Sequence, residues 1–252
     1  RLVDALVGSI YAADIGRFSL AAVQQLAELA KRHRSLLIGA RHAKKAAPPP
    51  PPAGSAPSPI FGAPRLGIGA LVDEAAAFVT ARGGTIDTGR PAHTMSADGD
   101  GWRVDDERFD AVVLASPARA SAPLLRAVAP DAAAGLASFE HADVVMVRLA
   151  LPGDEWPERL QGLSGYLVPK TEQRTVTAAS FASQKWAHWR PADGSQLLRV
   201  SLGRDGLPVT HLDDDTVVRC TIDEVGRHIG VDVQPSVTSI TRWPGAFPQY
   251  RP

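Results

Sequence analysis

Phe109-Asp110-Ala111-Val112-Val113-Leu114-Ala115-Ser116-Pro117 is the stretch on which the fold class turns. Its apolar residues run without the polar alternation of a half-exposed strand. The pattern predicts a strand over 109–115, buried on both faces of a parallel sheet and stopped by Ser-Pro. Buried parallel strands belong to α/β folds, whose open sheets bind ligands beyond the carboxyl ends of the strands.

Working back towards the N-terminus, strands are expected over 85–95 and 102–104. Asp98-Gly99-Asp100-Gly101 between them carries the Asp-Gly chemistry of a tight hairpin. Two aspartates alone make no calcium loop, because further ligands and a terminal Glu are missing, so the segment reads as a turn. Before the hairpin, Leu71, Val72, Ala75, Phe78 and Val79 recur at helical spacing between Gly67-Ile68-Gly69 and Gly83-Gly84. Gly67-x-Gly69 lacks the third glycine of a dinucleotide fingerprint and the Lys-Ser/Thr of a phosphate loop, so close packing explains it better. Residues 46–59 are almost wholly Pro, Ala, Gly and Ser, with five prolines at 48–52. They read as an extended linker or insertion, with a docking motif as the lesser alternative. Nearer the N-terminus, Leu20, Val23, Leu26 and Ala30 form a helical stripe with Ser19 as its expected cap. The basic run Lys31-Arg32-His33-Arg34, with Arg41, Lys44 and Lys45, reads as a solvent-facing helix end.

Towards the C-terminus the pattern changes. Strands are expected over 142–151, 165–168, 175–181 and 196–202, separated by turn-rich stretches, which suggests a mostly antiparallel sheet. A last helix is capped by one of Asp213, Asp214 and Asp215, buries Val218, Ile222, Val225 and Ile229, and stops at Gly230. A strand over 236–241 follows.

The 252 residues are 44% hydrophobic and 21% charged, and 27 basic side chains balance 27 acidic ones. That balance excludes a disordered polyelectrolyte and a general nucleic-acid binder, leaving a small or uncharged ligand as the default. Cys220 is the single cysteine, so neither an internal disulfide nor a cysteine zinc cluster can form. The seven histidines show no metal-binding spacing, no Gly-x-Ser-x-Gly elbow occurs, and Cys220 reads as a small helix residue rather than a nucleophile. No apolar run approaches the roughly 18 residues that a spanning helix needs. With Arg1-Leu2-Val3-Asp4 at one end and an aromatic stretch to Pro252 at the other, both ends are expected to be internal to a longer protein.

Taken in order, several short motifs resemble the bacterial protoporphyrinogen/coproporphyrinogen III oxidases. They are Leu2-Val3-Asp4 with Ile10-Tyr11-Ala12 and Ser19-Leu20, Leu66-Gly67-Ile68-Gly69-Ala70-Leu71, and Ala111 to Ala118. Gly165-Tyr166-Leu167-Val168-Pro169, Phe181-Ala182-Ser183-Gln184-Lys185-Trp186, Arg199 to Arg204, Arg242-Trp243 and Pro248-Gln249-Tyr250 complete them. The chain departs from the pattern at Ala13, where Gly is usual, and at Gln24-Gln25, where Pro-Gln is common. The resemblance covers the middle and later part of such an enzyme. It implies that the dinucleotide fingerprint lies before Arg1 and a last flavin-contacting segment after Pro252.

The resemblance implies an α/β fold with five parts: a helical substrate-entrance piece (1–45), the linker (46–59), a glutathione reductase-like FAD-binding segment (60–130), a mostly antiparallel substrate-binding sheet (131–242) and a return to the FAD domain (243–252). It implies oxidation of a porphyrinogen, copro- or proto-, to the porphyrin in haem biosynthesis, with FAD as cofactor, oxygen as acceptor and hydrogen peroxide as product. The fragment alone is expected to be inactive. A cytoplasmic location is expected, with the helical piece in some members in peripheral membrane contact. Ala92 matches a residue that meets the adenine side of FAD through its backbone, and Trp243 one beside the flavin ring. Without the resemblance, Trp243 reads as a core aromatic beside Pro244. Leu167 matches a leucine on a pyrrole face of the substrate, with Gly165 allowing close backbone approach; filling the sheet core is the alternative for Leu167. No metal is expected. Other readings are a different flavin amine oxidase-like oxidase or desaturase, and a non-enzymatic proline-rich interaction fragment.

Overall fold

The computed structural model describes residues 3–46 and 62–252. The proline-rich run therefore lies outside the described residues, apart from Ala46, the last residue of a helix.

Two sheets organise the chain. The first is a three-stranded antiparallel meander, β1 (Met95–Asp98), β2 (Gly101–Val104) and β3 (Glu107–Phe109). Asp98 pairs with Gly101, so Gly99 and Asp100 make the tight turn expected from their chemistry, with Gly99 at φ 64°. The second has five strands, all antiparallel, in the order β5-β6-β7-β4-β8. Its members are β4 (Glu140–Leu151), β5 (Gly165–Leu167), β6 (Val176–Phe181), β7 (Gln196–Leu202) and β8 (Val237–Gln249). The expected antiparallel sheet is thus present, and β8 continues past Arg242 to Gln249.

The core lies on one side of this sheet. Alternate residues Val145, Val147 and Leu149 of β4 and Leu198, Val200 and Leu202 of β7 are buried with Val176, Ala179 and Phe181 of β6. The helix Asp214–Ile229 closes over them through Val217, Val225 and Ile229. Val217, rather than the expected Val218, makes the inner contact, because the stripe runs 217, 221, 225 at i+4 spacing. Asp213 caps the helix, its carboxylate accepting the Thr216 amide at 2.7 Å, and Gly230 ends it as expected.

Glu224 is the buried charge of this layer. Its carboxylate accepts the backbone N–H of Thr175 at 2.9 Å and of Val176 at 3.1 Å, and the Thr175 hydroxyl as well. The N-terminal segment is fastened to the same sheet by a second buried charge. Asp4 pairs with Arg204 at 3.1 Å, both side chains nearly inaccessible, and also accepts the Lys170 amide at 2.7 Å.

Four expectations need correction. The strand over 109–115 does not form: only Phe109 is in a strand, β3, residues 111–115 are irregular, and Val113 is 88% exposed. A strand buried on both faces needs neighbours for its N–H and C=O groups, and no described residue pairs with this one. The helix Ile68–Ala81 exists, yet Leu71, Val72, Phe78 and Val79 are exposed, with no parallel sheet beneath them among the described residues. The strand expected over 85–95 begins only at Met95, because the amides of His93 and Thr94 are taken by the Asp105 carboxylate at 3.0 and 2.8 Å. Ser19 caps nothing: its amide donates to the Tyr250 carbonyl, a 3-10 turn follows, and the α-helix starts at Gln24 and ends at Arg32. Beyond the exposed Lys31 and Arg32, His33 and Arg34 lead into a further helix, Leu36–Ala46, which contains Arg41, Lys44 and Lys45.

Candidate functional site

The side of the five-stranded sheet turned away from the core is largely open. Because residue partners across strands share a face, two rows of side chains can be read directly from the register. One row runs Gly165, Ser180, Arg199, Arg148, Ser239 across β5, β6, β7, β4 and β8. The next runs Leu167, Ala178, Ser201, Met146, Thr241. Trp243 continues this face along β8 opposite Val144, just before the irregularity at Pro244-Gly245. At that end Ala12 packs with Val144, Met146 and Phe247 and covers the edge of the face.

Three of the four residues singled out in the sequence therefore share one face of the sheet, Gly165 and Leu167 on the β5 edge and Trp243 on the opposite β8 edge, four strand spacings or roughly 19 Å away. Leu167 is 42% exposed and Trp243 51% exposed. Neither side chain belongs to the core among the described residues. Tyr166, between Gly165 and Leu167, takes the core side instead. Its ring meets Phe181 and His228, with the hydroxyl 3.2 Å from His228 Nδ1. Burial pushes the Tyr166 phenol up and the His228 imidazole down.

Gly165 has a φ of +136°, and a Cβ there would stand 2.1 Å from the Ala179 carbonyl oxygen. The glycine is thus demanded by the close approach of β6. Ala92 stands apart, exposed in the irregular segment ahead of β1. Its backbone makes no hydrogen bond to a described residue, and no hydrogen bond joins the three-stranded meander to the five-stranded sheet among the described residues.

Trp243 is held from below. The Arg119 guanidinium donates to the carbonyls of Pro244 and Gly245 at 3.0 and 2.8 Å, and the Asp143 carboxylate accepts the Gly245 amide at 2.6 Å. These bonds fix the backbone that presents the indole.

Chemically, the face offers hydroxyls, two guanidinium groups, aliphatic surface and one indole. It carries no paired carboxylates and no nucleophile beside a base among the described residues, so it can hold and orient a flat ligand. Neither Arg148 nor Arg199 was named as a site residue from sequence, although Arg199 opens one of the resembling motifs. The available signal was an arginine among the apolar residues of each of two strands, 142–151 and 196–202. Cys220 is a half-buried free thiol on the Asp214–Ile229 helix, remote in the fold from the open face.

The described residues form a mixture of helices and antiparallel sheet, and the chain belongs to the family described as flavin containing amine oxidoreductase, which matches it over residues 1–252. Among curated relatives, it is 32% identical to the coproporphyrinogen III oxidase of Propionibacterium freudenreichii subsp. freudenreichii, over 99% of this chain and 52% of the relative. It is 24% identical to the coproporphyrinogen III oxidase of Bacillus subtilis, over 99% of this chain and 53% of the relative. The chain spans about half the length of these relatives. Its fold resembles that of a protein assigned as a protoporphyrinogen oxidase, from Exiguobacterium sp. 255-15, with a TM-score of 0.73 at 21% identity, covering 99% of this chain and 52% of that one. A further fold relative is reduced UDP-galactopyranose mutase, with a TM-score of 0.59 at 14% identity, covering 86% of this chain and 47% of that one.

Proposed function

We propose that the protein oxidises a porphyrinogen, coproporphyrinogen III or protoporphyrinogen IX, to the porphyrin with FAD as cofactor, and that the open face of the five-stranded sheet is the wall against which the substrate lies. Oxygen is the acceptor and hydrogen peroxide the product in this reading, and the reaction belongs to haem biosynthesis. The observation that carries it is the joint exposure of Leu167 and Trp243 on a face the core does not use. The identities to named coproporphyrinogen III oxidases supply the substrate class.

FAD supplies a two-electron acceptor when bound. The residues of this chain suited to hold it are Trp243, whose exposed indole can lie against a ring system, and Ala92, whose unpartnered backbone can meet an adenine edge. Leu167 and Met146 give aliphatic surface to the broad face of the macrocycle, and Gly165 keeps the neighbouring backbone low. Positioning of this kind lowers the barrier by fixing the distance and orientation of the reacting carbon, which needs no catalytic triad. A cytoplasmic location is part of this proposal. Among the described residues no helix is long and apolar enough to cross a membrane.

Steady-state kinetics on the intact protein test the wall. Because Leu167 is partly exposed, Leu167→Ala should leave thermal stability near normal while raising KM or lowering kcat. Normal kinetics would refute its role. Trp243→Ala should weaken FAD retention, and unchanged flavin content at matched folding would refute that assignment.

A further inference from the structure

The open sheet face places two like charges directly opposite each other. Arg148 of β4 and Arg199 of β7 are register partners, flanked in the core-facing layer by Val147 with Val200 and Leu149 with Leu198. Like charges facing each other across strands are unfavourable, and both guanidinium groups are exposed here rather than dispersed by burial. Neighbouring arginines show what the fold normally does with such groups. Arg204 pairs with Asp4, Arg242 with Asp214, and Arg251 with Asp205 and Glu140. Neither Arg148 nor Arg199 has a carboxylate within 4.0 Å among the described residues.

Arg148 is nevertheless positioned. Its Nη2 donates to Ser239 Oγ and to Thr241 Oγ1, both at 3.1 Å. Those hydroxyls orient the guanidinium without neutralising it, which leaves its other donors and its charge for a ligand. Around the pair the face is small or apolar, with Gly165, Ala178, Leu167 and Met146.

From this arrangement we infer that Arg148 and Arg199 form a carboxylate clamp that receives an acidic side arm of the substrate while the macrocycle lies on the aliphatic part of the same face. The inference rests on the substrate reading above and adds the residues that select for charge. Guanidinium groups suit this task because their planar donor fork matches a carboxylate bidentately. One clamp ligand between two positive charges also relieves their repulsion, so the pair is better used with an anion than without.

Equilibrium binding to the intact protein provides the test, read from porphyrin fluorescence with coproporphyrin III and its uncharged tetramethyl ester as probes. The wild type should bind the acid at least about tenfold more tightly than the ester, with the preference shrinking as salt is raised. Arg199→Gln and Arg148→Gln should each weaken binding of the acid roughly tenfold, the effect of losing one charge-assisted contact. Binding of the ester should change little, and thermal midpoints should stay level or rise slightly as repulsion is removed. Equal affinity of the wild type for acid and ester overturns the clamp without requiring any variant to fold. Equal losses for acid and ester in the variants also overturn it, since they show a structural role. A wild type that binds both probes alike but still oxidises the porphyrinogen fails the clamp alone; one that neither binds nor oxidises fails the substrate reading as well.

Discussion

Replacing Glu224 with Ala should cost about 3–4 kcal/mol of folding stability, the sum of two orphaned backbone donors. The side chain is almost inaccessible, and its carboxylate takes the amides of Thr175 and Val176 where the short strand β5 cannot reach. Truncation to a methyl group deprives both donors of their acceptor. A buried unsatisfied donor costs roughly 1–3 kcal/mol. Val176 is fully buried and takes the upper part of that range, whereas water can reach the half-buried Thr175. For a protein of this size, about 3 kcal/mol lowers Tm by roughly 6–12 °C. Glu224→Gln keeps one acceptor oxygen but turns an NH2 towards a donor, so it should lose about half as much. Urea denaturation measures this as a fall in the midpoint with the slope unchanged. A Glu224→Ala variant within about 1 kcal/mol of wild type would refute the view that this carboxylate anchors the helix to the sheet.

Three further outcomes are expected. Gly165→Ala should destabilise the protein by at least about 1–3 kcal/mol, because its Cβ meets the Ala179 carbonyl and its φ is positive; an unchanged Tm would contradict the β5–β6 register. Asp4→Ala should cost about 3–5 kcal/mol by leaving the Arg204 guanidinium buried without its partner, and denaturant titration showing a loss below about 1 kcal/mol would contradict the anchoring of the N-terminal segment. His228 has a folded-state pKa depressed first by burial and then by Arg227, so the unfolded state takes up its proton first and stability should fall as pH drops through about 6.5. Midpoints measured from about pH 7.5 to 5.5 should flatten in His228→Gln, and parallel curves for the two proteins would count against that origin.

Local chemistry made much of the fold legible. Alternation gave the strands of the five-stranded sheet, Asp98-Gly99-Asp100-Gly101 gave the first hairpin of the meander, and Asp213 and Gly230 bounded the last helix. Local reading failed where an element depends on distant partners. Ala111-Val112-Val113-Leu114-Ala115 has the composition of a doubly buried strand, but composition cannot supply the neighbours that its backbone requires. The irregular stretch before Met95 has a related cause, since the Asp105 carboxylate competes for amides that a strand would have used. For the site, short motifs pointed to Leu167, Gly165 and Trp243, while alternation left the facing of Leu167 open until the pairing with Ala178 placed it. The Arg148–Arg199 juxtaposition depends on the register between two strands far apart in the chain, which no local pattern encodes.

Porphyrin fluorescence, followed while the intact flavin-loaded protein is mixed with coproporphyrinogen III in air, tests the central claim most directly. The expected result is porphyrin formation well above the spontaneous rate, saturating with substrate and slowed by Leu167→Ala at near-normal stability. Formation at the spontaneous rate by folded, flavin-loaded protein, with protoporphyrinogen IX equally unaffected, would contradict it.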